Sequence, residues 1–121
     1  MVLRGDGSPY AVMGTMGGEG QPQTHAAMLT RMVDFGYDVQ QAIEAPRWLM
    51  GRTWGAESQD LWLEGRFPDP VVHELERRGQ PVKMLPAWDD NVGHAQAIRI
   101  TEDGWLEGGA DPRGDGVALG F

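Results

Sequence analysis

The sequence contains no cysteine, which excludes disulfides, thiol catalysis and thiolate metal sites and leaves the redox compartment open. It also lacks any apolar run approaching the ~20 residues that a membrane span needs. No charged-then-apolar leader opens the chain, so no signal peptide is visible. If the chain is a C-terminal fragment, that absence says nothing about its parent, and the localisation stays undetermined.

Positive charge is scarce. Ten lysines and arginines stand against 18 aspartates and glutamates, which gives a formal net charge of −8 and a pI near 4.7. A surface of this sign repels phosphate backbones and anionic lipid headgroups. The composition therefore argues against nucleic acid and membrane surfaces as partners.

What is present fits a folded protein. The chain has 121 residues, of which 40% are hydrophobic and 23% charged. A chain of this length can bury about two-thirds of its unfolded surface in one core. We expect residues 1–121 to form a single domain with many turns, since 18 glycines and eight prolines are distributed along it.

The first half of the chain predicts one strand followed by two helices. The short apolar run from Pro9 to Met13 is typical of a buried strand. Proline suits a first helical turn and glycine a helix stop, and Asp38 with Gln41 has the spacing of a capping box. The two predicted helices therefore run from Pro22 to Phe35, with Gly36 as the stop, and from Asp38 until Pro46.

The second half predicts short strands around a third helix. Asp69-Pro70 is expected to cap that helix, and Arg77, Arg78 and Gly79 to close it. Asp103-Gly104 is a hairpin turn signal. The predicted strands are Trp48–Thr53, Asp60–Glu64, Val82–Leu85, Ala95–Ile100 and Gly104–Glu107. The fold class is therefore α+β, with neighbouring strands antiparallel.

The most informative segment is Met13-Gly-Thr-Met-Gly-Gly-Glu-Gly-Gln-Pro-Gln-Thr24. Gly17 and Gly18 end an apolar run and lead into the first predicted helix. Glycine tolerates positive φ and close approach, so successive N–H groups can point at one oxygen. A helix N-terminus behind them favours negative charge there. That oxygen could belong to a bound anion or to a transition-state oxyanion. The alternative is a tight strand-to-helix turn without a ligand.

Three blocks together resemble one family: the glycine segment, the stretch Asp34-Phe-Gly-Tyr-Asp-Val-Gln-Gln-Ala-Ile-Glu-Ala-Pro-Arg-Trp48, and Leu106-Glu-Gly-Gly-Ala-Asp-Pro-Arg-Gly-Asp-Gly-Val-Ala-Leu-Gly-Phe121. That family is the gamma-glutamyltransferases (glutathione hydrolases), with their cephalosporin-acylase-like relatives. The resemblance covers nearly all of this chain but only the C-terminal part of the family's precursor, within its small subunit.

The resemblance implies a fold, a site and partners. The fold would be part of an N-terminal nucleophile hydrolase αββα sandwich with antiparallel sheets. Gly17 and Gly18 would supply the backbone donors of the oxyanion hole. The partners would be the large subunit and the N-terminal part of the small subunit, with a gamma-glutamyl substrate in the complete enzyme.

The family's nucleophile is absent from this chain. In the family a precursor cuts itself and exposes a threonine whose own amine acts as the base. The threonines here are Thr15, Thr24, Thr30, Thr53 and Thr101, and none stands in a similar processing site. By this comparison Thr15 is a loop residue. The residues that hold the substrate's alpha-amino and carboxylate groups also lie upstream in the family. We therefore expect the chain alone to be inactive.

Other candidate sites are weaker. Asp89-Asp-Asn-Val-Gly-His94 matches no calcium-loop spacing, and His25, His73 and His94 show no paired ligand spacing. We expect no metal and no cofactor. Arg47 and Arg113 suit structural pairing with carboxylates such as Asp111 or Asp115. The tryptophans are expected to fill the core of the sheet; they are Trp48, Trp54, Trp62, Trp88 and Trp105.

Three functions remain open from the sequence. The first is the C-terminal segment of a gamma-glutamyltransferase-like enzyme. The second is a catalytically inert orphan domain that folds as a self-associating oligomer, because a partial sandwich exposes sheet edges. The third is an unrelated phosphate-binding protein, which is disfavoured because no lysine lies near the glycine segment.

Overall fold

The computed structural model describes residues 1–52, 55 and 57–120. Two sheets and three helices make up this part of the chain. In chain order the elements are β1 (Val2–Leu3), β2 (Pro9–Thr15), α1 (Gln21–Val33), α2 (Val39–Glu44), β3 (Trp48–Met50), β4 (Leu61–Glu64), α3 (Asp69–Arg77), β5 (Val82–Leu85), β6 (Ala95–Ile100) and β7 (Leu106–Ala110).

The larger sheet, called here the main sheet, has the strand order β1-β2-β6-β7 and is antiparallel throughout. Its central pair runs in register from Ala11 opposite Arg99 to Thr15 opposite Ala95. β2 is thus two residues longer than the predicted Pro9–Met13. Thr15 closes this strand, so the expectation that it lies in a loop was wrong.

Helices α1 and α2 cover one face of the main sheet and bury the core against it. Alternation along β2 and β6 points every second side chain toward the helices. Small residues there, Ala95 and Ala97, let the helices approach closely. The core cluster consists of Met28, Met32, Val39, Ala42, Ile43, Ala95 and Ala97, with Met13 packed against it.

The ends of the two helices follow the sequence signals closely. Gln41 N–H donates to the Asp38 carboxylate at 2.7 Å and Asp38 N–H donates to the Gln41 side chain at 3.1 Å, which confirms the capping box. Gly36 takes a φ of +69° just beyond α1, as a helix stop requires. α1 itself ends at Val33, two residues before the predicted Phe35.

The smaller sheet has the order β3-β4-β5 and contains one parallel pair. β3 and β4 are antiparallel, whereas β4 and β5 run parallel. α3 connects β4 to β5 and returns the chain to the same end of the sheet, which is the usual route to a parallel pair. The prediction of a cap at Asp69 was wrong: Pro68 is the N-cap residue, and α3 has no side-chain cap.

The hairpin near the C-terminus differs slightly from its prediction. β6 matches Ala95–Ile100, but β7 starts at Leu106 and extends to Ala110 instead of spanning Gly104–Glu107. Gly104 lies in the turn with a φ of +83°, and its N–H donates to the Thr101 carbonyl at 3.1 Å. Because this turn position has a positive φ, it favours the glycine that the sequence has there.

The tryptophans do not fill the core, so that prediction was wrong for the four that the structure describes. Trp48 and Trp62 are half-buried, while Trp88 and Trp105 are 45% and 76% exposed. Trp54 lies outside the described residues. The close packing of α1 and α2 over alanines leaves no room for indole rings in the core. Trp88 instead lies over the Arg66 guanidinium at 3.4 Å from the ring centre.

The face of the main sheet opposite the helices is open and apolar. Val12 and Ile98 are paired across β2 and β6 on this face and are 49% and 48% exposed. The C-terminal residues Val117 and Leu119 line a shallow groove along it. Within residues 1–52, 55 and 57–120, helices therefore cover one face of the main sheet and leave the other face open. None of the helices in the described ranges has the length and apolar character to cross a membrane.

Candidate active-site segment

Gly17 and Gly18 form a turn between the end of β2 and the start of α1, called here the glycine turn. Gly17 is buried with φ +132°, Gly18 is exposed with φ +52°, and a single 3-10 turn over Gly18–Gly20 leads into α1. Neither N–H group donates a hydrogen bond to any residue within 1–52, 55 and 57–120. Two adjacent donors are thus available beside a helix N-terminus, where a negative oxygen is favoured.

The hydroxyls of the described threonines are engaged in local structure. The Thr15, Thr24 and Thr30 hydroxyls donate to the carbonyls of Met16, Val92 and Ala26 at 2.7, 3.2 and 2.6 Å. The Thr101 hydroxyl accepts from the Trp105 N–H at 3.0 Å. Thr53 lies outside the described residues. All four described threonines therefore have structural partners, and none of the four is at a chain terminus.

A buried ion-pair network lies beneath the glycine turn, and it confirms the structural role predicted for Arg47 and Arg113. Arg47 pairs with Asp111 at 2.5 Å, and Arg113 pairs with the same carboxylate at 3.0 Å. The side chains of all three are at most 1% exposed. Asp115, the other predicted partner, is exposed and forms no ion pair with the described residues.

Glu64 completes this network and was missed in the sequence. Its carboxylate is fully buried and pairs with Arg113 at 2.5 Å and with Arg66 at 2.9 Å. It also accepts the backbone N–H groups of Arg47 and Asp89 at 2.8 and 3.3 Å. The only sequence signal was a charged residue at the end of the apolar strand Leu61–Glu64. The network links β4, the Ala45-Pro46-Arg47 segment and the Asp111-Pro112-Arg113 segment.

The network holds its carboxylates ionised. Burial alone raises the pKa of Glu64, but hydrogen bonds from Arg113 and from the Arg47 backbone more than offset it and leave that pKa lowered. The pKa of Asp111 is likewise lowered, because Arg47 and two backbone N–H groups outweigh its burial. Burial and the nearby Arg113 lower the pKa of Arg47 to about 10, so it stays charged at neutral pH.

This network predicts acid-sensitive stability. Carboxyl groups whose pKa is lower in the folded state contribute stability above their unfolded pKa and lose it as pH falls through the folded value. We expect the urea midpoint to hold between pH 7 and about pH 5 and to fall steeply below about pH 4. Circular dichroism across this range measures it. A Glu64→Gln variant should show a shallower fall, and a wild-type midpoint unchanged from pH 5 to pH 3 contradicts the prediction.

The histidines and the acidic turn form no metal set. His25 and His94 are half-buried and His73 is exposed. Asp89 accepts the Asn91 N–H at 2.8 Å, so the acidic segment is a hydrogen-bonded turn. Within the described ranges, no three side chains of the kinds that bind metals lie close enough to hold an ion.

The fold matches solved structures of N-terminal nucleophile hydrolases. Cephalosporin acylase from Bacillus halodurans superposes with a TM-score of 0.79 at 33% identity, over 91% of this chain and 20% of that protein. Gamma-glutamyltranspeptidase from Pseudomonas nitroreducens, complexed with L-DON, superposes with a TM-score of 0.80 at 27% identity. The match covers 100% of this chain and 60% of that chain. The chain therefore has the fold of one part of the αββα sandwich.

Sequence comparison identifies the family. A gamma-glutamyltranspeptidase family model matches residues 1–121, and the chain belongs to this family. It is 52% identical over its whole length to the glutathione hydrolase-like YwrD proenzyme of Bacillus subtilis. It is 47% identical over 91% of its length to the oxamate amidohydrolase proenzyme of Klebsiella pneumoniae. It covers 23% and 21% of these relatives, about a fifth of their length, and matches the C-terminal part of a larger enzyme.

Proposed function

We propose that this chain is the C-terminal segment of a gamma-glutamyltransferase-like enzyme and supplies its oxyanion hole through Gly17 and Gly18. The observation that carries the proposal is the pair of adjacent backbone N–H groups that have no partner among the described residues. They follow a strand end and precede α1, within the first of the three family blocks. The nucleophilic threonine comes from the remainder of the precursor.

The proposed reaction is acyl transfer through a threonine ester. The threonine hydroxyl attacks the amide carbonyl carbon, and its proton passes to the threonine's own amine. Negative charge then develops on the carbonyl oxygen, which accepts hydrogen bonds from the Gly17 and Gly18 N–H groups. The amine product leaves with the proton, and water or an acceptor amine releases the acyl group from the ester. Fixed donors stabilise this charge without reorganising during the reaction.

The acyl group is proposed to be gamma-glutamyl, as in the glutathione hydrolases. The identity to the Klebsiella pneumoniae oxamate amidohydrolase is 47%, against 32% to the Escherichia coli glutathione hydrolase proenzyme. This difference favours oxamate as a second candidate substrate. Parallel assays with gamma-glutamyl-p-nitroanilide, glutathione and oxamate on the full-length enzyme decide between them.

The proposed partner is the remainder of the precursor, with residues 1–121 as one domain of the assembled enzyme. The open face of the main sheet carries Val12 and Ile98 and is apolar. In an αββα sandwich, a second sheet covers a face of this kind, since stacked sheets pack about 10 Å apart through such side chains.

We predict that the isolated chain does not hydrolyse gamma-glutamyl-p-nitroanilide above background, because none of its threonines stands in a processing site like the family's. The full-length precursor should process itself and turn the substrate over. Absorbance at the p-nitroaniline band measures both samples under identical conditions. An acyl-enzyme detected by mass spectrometry on the purified chain contradicts this prediction, and a processed full-length protein inactive on all three substrates contradicts the proposed function.

We also predict that the isolated chain self-associates, most simply as a twofold dimer. β7 is an edge strand of the main sheet, and the open face beside it is apolar. Unpaired edges and apolar faces drive association when their natural cover is missing. Light scattering at increasing concentration measures the mass. A monodisperse monomer at high concentration, with β7 amides protected in hydrogen exchange, contradicts it.

A further inference from the structure

The glycine turn rests on a second turn, formed by Val92, Gly93 and His94. Met16 N–H donates to the His94 carbonyl at 3.1 Å, which extends the pairing of β2 with β6 beyond the strand end. Gly93 has φ +85°, and it faces Gly17, where a Cβ would lie 3.2 Å from the Gly93 Cα. The backbones of the two turns are therefore in direct contact.

The contact leaves no room for a side chain at Gly93. A Cβ there would lie 2.2 Å from the Met16 carbonyl oxygen and 2.8 Å from the Thr15 hydroxyl oxygen. The first distance is far inside van der Waals contact, and backbone must move to relieve it. The Met16 carbonyl oxygen therefore lies so close to Gly93 that only a hydrogen atom fits between them.

The direction of that carbonyl sets the direction of a proposed oxyanion donor. The Met16 carbonyl and the Gly17 N–H belong to the same planar trans peptide, so they point in opposite directions. A carbonyl that points at Gly93 aims the Gly17 N–H away from Gly93. The Thr15 hydroxyl donates to the same carbonyl at 2.7 Å and helps to hold the peptide plane.

Gly93 is itself held by the buried ion-pair network. Arg47 donates to the Gly93 and Val92 carbonyls at 2.7 and 3.3 Å. The Asp111 carboxylate, which pairs with Arg47, accepts the Ala95 N–H at 2.7 Å. The Thr24 hydroxyl of α1 reaches the Val92 carbonyl at 3.2 Å. Hydrogen bonds from Arg47 and Thr24 therefore fix the backbone of the turn at Val92 and Gly93 that contacts the glycine turn.

We infer that Gly93 is a positioning residue for the reaction: its missing side chain lets the Met16 carbonyl face it and so aims the Gly17 N–H at the developing oxyanion. This inference rests on the proposed function. Gly93 touches no reacting atom and acts only through the Met16–Gly17 peptide. The Thr15 hydroxyl lies beside the same Gly93 position and holds the same peptide plane through its hydrogen bond to the Met16 carbonyl.

The first test is Gly93→Ala in the full-length precursor, with Gly104→Ala as the matched control. Gly104 has nearly the same backbone, φ +83°, but a Cβ there meets nothing within 4 Å. Rates are expressed per active site, counted by the acyl-enzyme burst, on whichever of the three substrates is turned over. We expect kcat of Gly93→Ala to fall on the order of 10², with KM nearly unchanged, because a transition-state donor is misdirected. A kcat per site equal to that of Gly104→Ala overturns the inference.

A second variant covers the case in which Gly93→Ala fails to fold. Thr15→Val keeps the side-chain shape and removes the donor to the Met16 carbonyl, and Thr15→Ser restores it. We expect kcat per site to fall several-fold in Thr15→Val and to recover in Thr15→Ser. A Thr15→Val enzyme as active per site as wild type counts against the positioning of this peptide.

A third readout separates this inference from the proposed function. If the wild-type precursor turns over none of the three substrates, the proposed function fails. Amide hydrogen exchange of the peptide spanning residues 14–20 then tests the positioning without any substrate. Exchange should be faster in Gly93→Ala than in Gly104→Ala, and equal exchange in the two variants overturns the inference.

Discussion

Replacing Gly18 by valine in the full-length enzyme should lower kcat on the order of 10²–10³, the usual loss when one oxyanion donor is removed. Gly18 has φ +52°, a conformation that a β-branched residue rarely adopts. The substitution therefore turns the peptide, and we expect its exposed side chain beside the glycine turn to obstruct the tetrahedral intermediate. Steady-state kinetics per titrated active site measure the loss.

Gly36→Val is the matched control for this prediction. Gly36 has φ +69° at the other end of α1, and a Cβ there meets nothing within 4 Å. Both variants carry comparable backbone strain, so both should lose similar stability. Only Gly18→Val should lose turnover. Equal kcat values for the two variants contradict the assignment of the glycine turn to the oxyanion hole.

Replacing Glu64 by leucine should have the largest effect on stability, about 3–5 kcal/mol of unfolding free energy. The substitution removes the nearer of the two carboxylates that pair with the buried Arg113, at 2.5 Å, and leaves it with Asp111 at 3.0 Å; it also removes the partner of Arg66. It also orphans the backbone N–H of Arg47, which donates to Glu64 at 2.8 Å. Urea unfolding of the chain, followed by circular dichroism, measures the loss.

The control for Glu64 is a carboxylate on the surface. Glu74 of α3 pairs with Arg77 and Arg78 at 2.7 Å, but these side chains are 41–71% exposed. Exposed pairs add little because water already solvates both charges. Glu74→Leu should leave the urea midpoint nearly unchanged. A Glu64→Leu variant no less stable than Glu74→Leu contradicts the structural role of the network.

Local signals in the sequence predicted those parts of the fold that local chemistry decides. Asp38 and Gln41 form their capping box, and Gly36 and Gly104 take the positive φ that their turns require. The parallel pairing of β4 with β5 could not be predicted, because it depends on where the chain returns after α3. The positions of the tryptophans were predicted wrongly for a similar reason. Their hydrophobic character indicates burial, but the distance between the helices and the sheet over Ala95 and Ala97 decides which side chains fit in the core.

The candidate site was predictable only in part. The prolines and arginines of two family blocks indicated Arg47 and Arg113, and Asp111 lies between them as expected. Glu64 joins the network from a different strand, 49 residues before Arg113, and no spacing rule links the two. Gly93 stands outside the three family blocks, and its importance depends on the close approach of two turns. Such contacts appear only once the chain is folded.

A crystal structure of the full-length enzyme with a trapped gamma-glutamyl acyl-enzyme or a covalent tetrahedral analogue tests the role of Gly17 and Gly18 most directly. We predict that the backbone nitrogens of Gly17 and Gly18 each lie about 2.7–3.1 Å from the oxygen of the bound acyl group. An oxygen held by other donors, with both glycine N–H groups turned away from it, contradicts the assignment of Gly17 and Gly18 to the oxyanion hole.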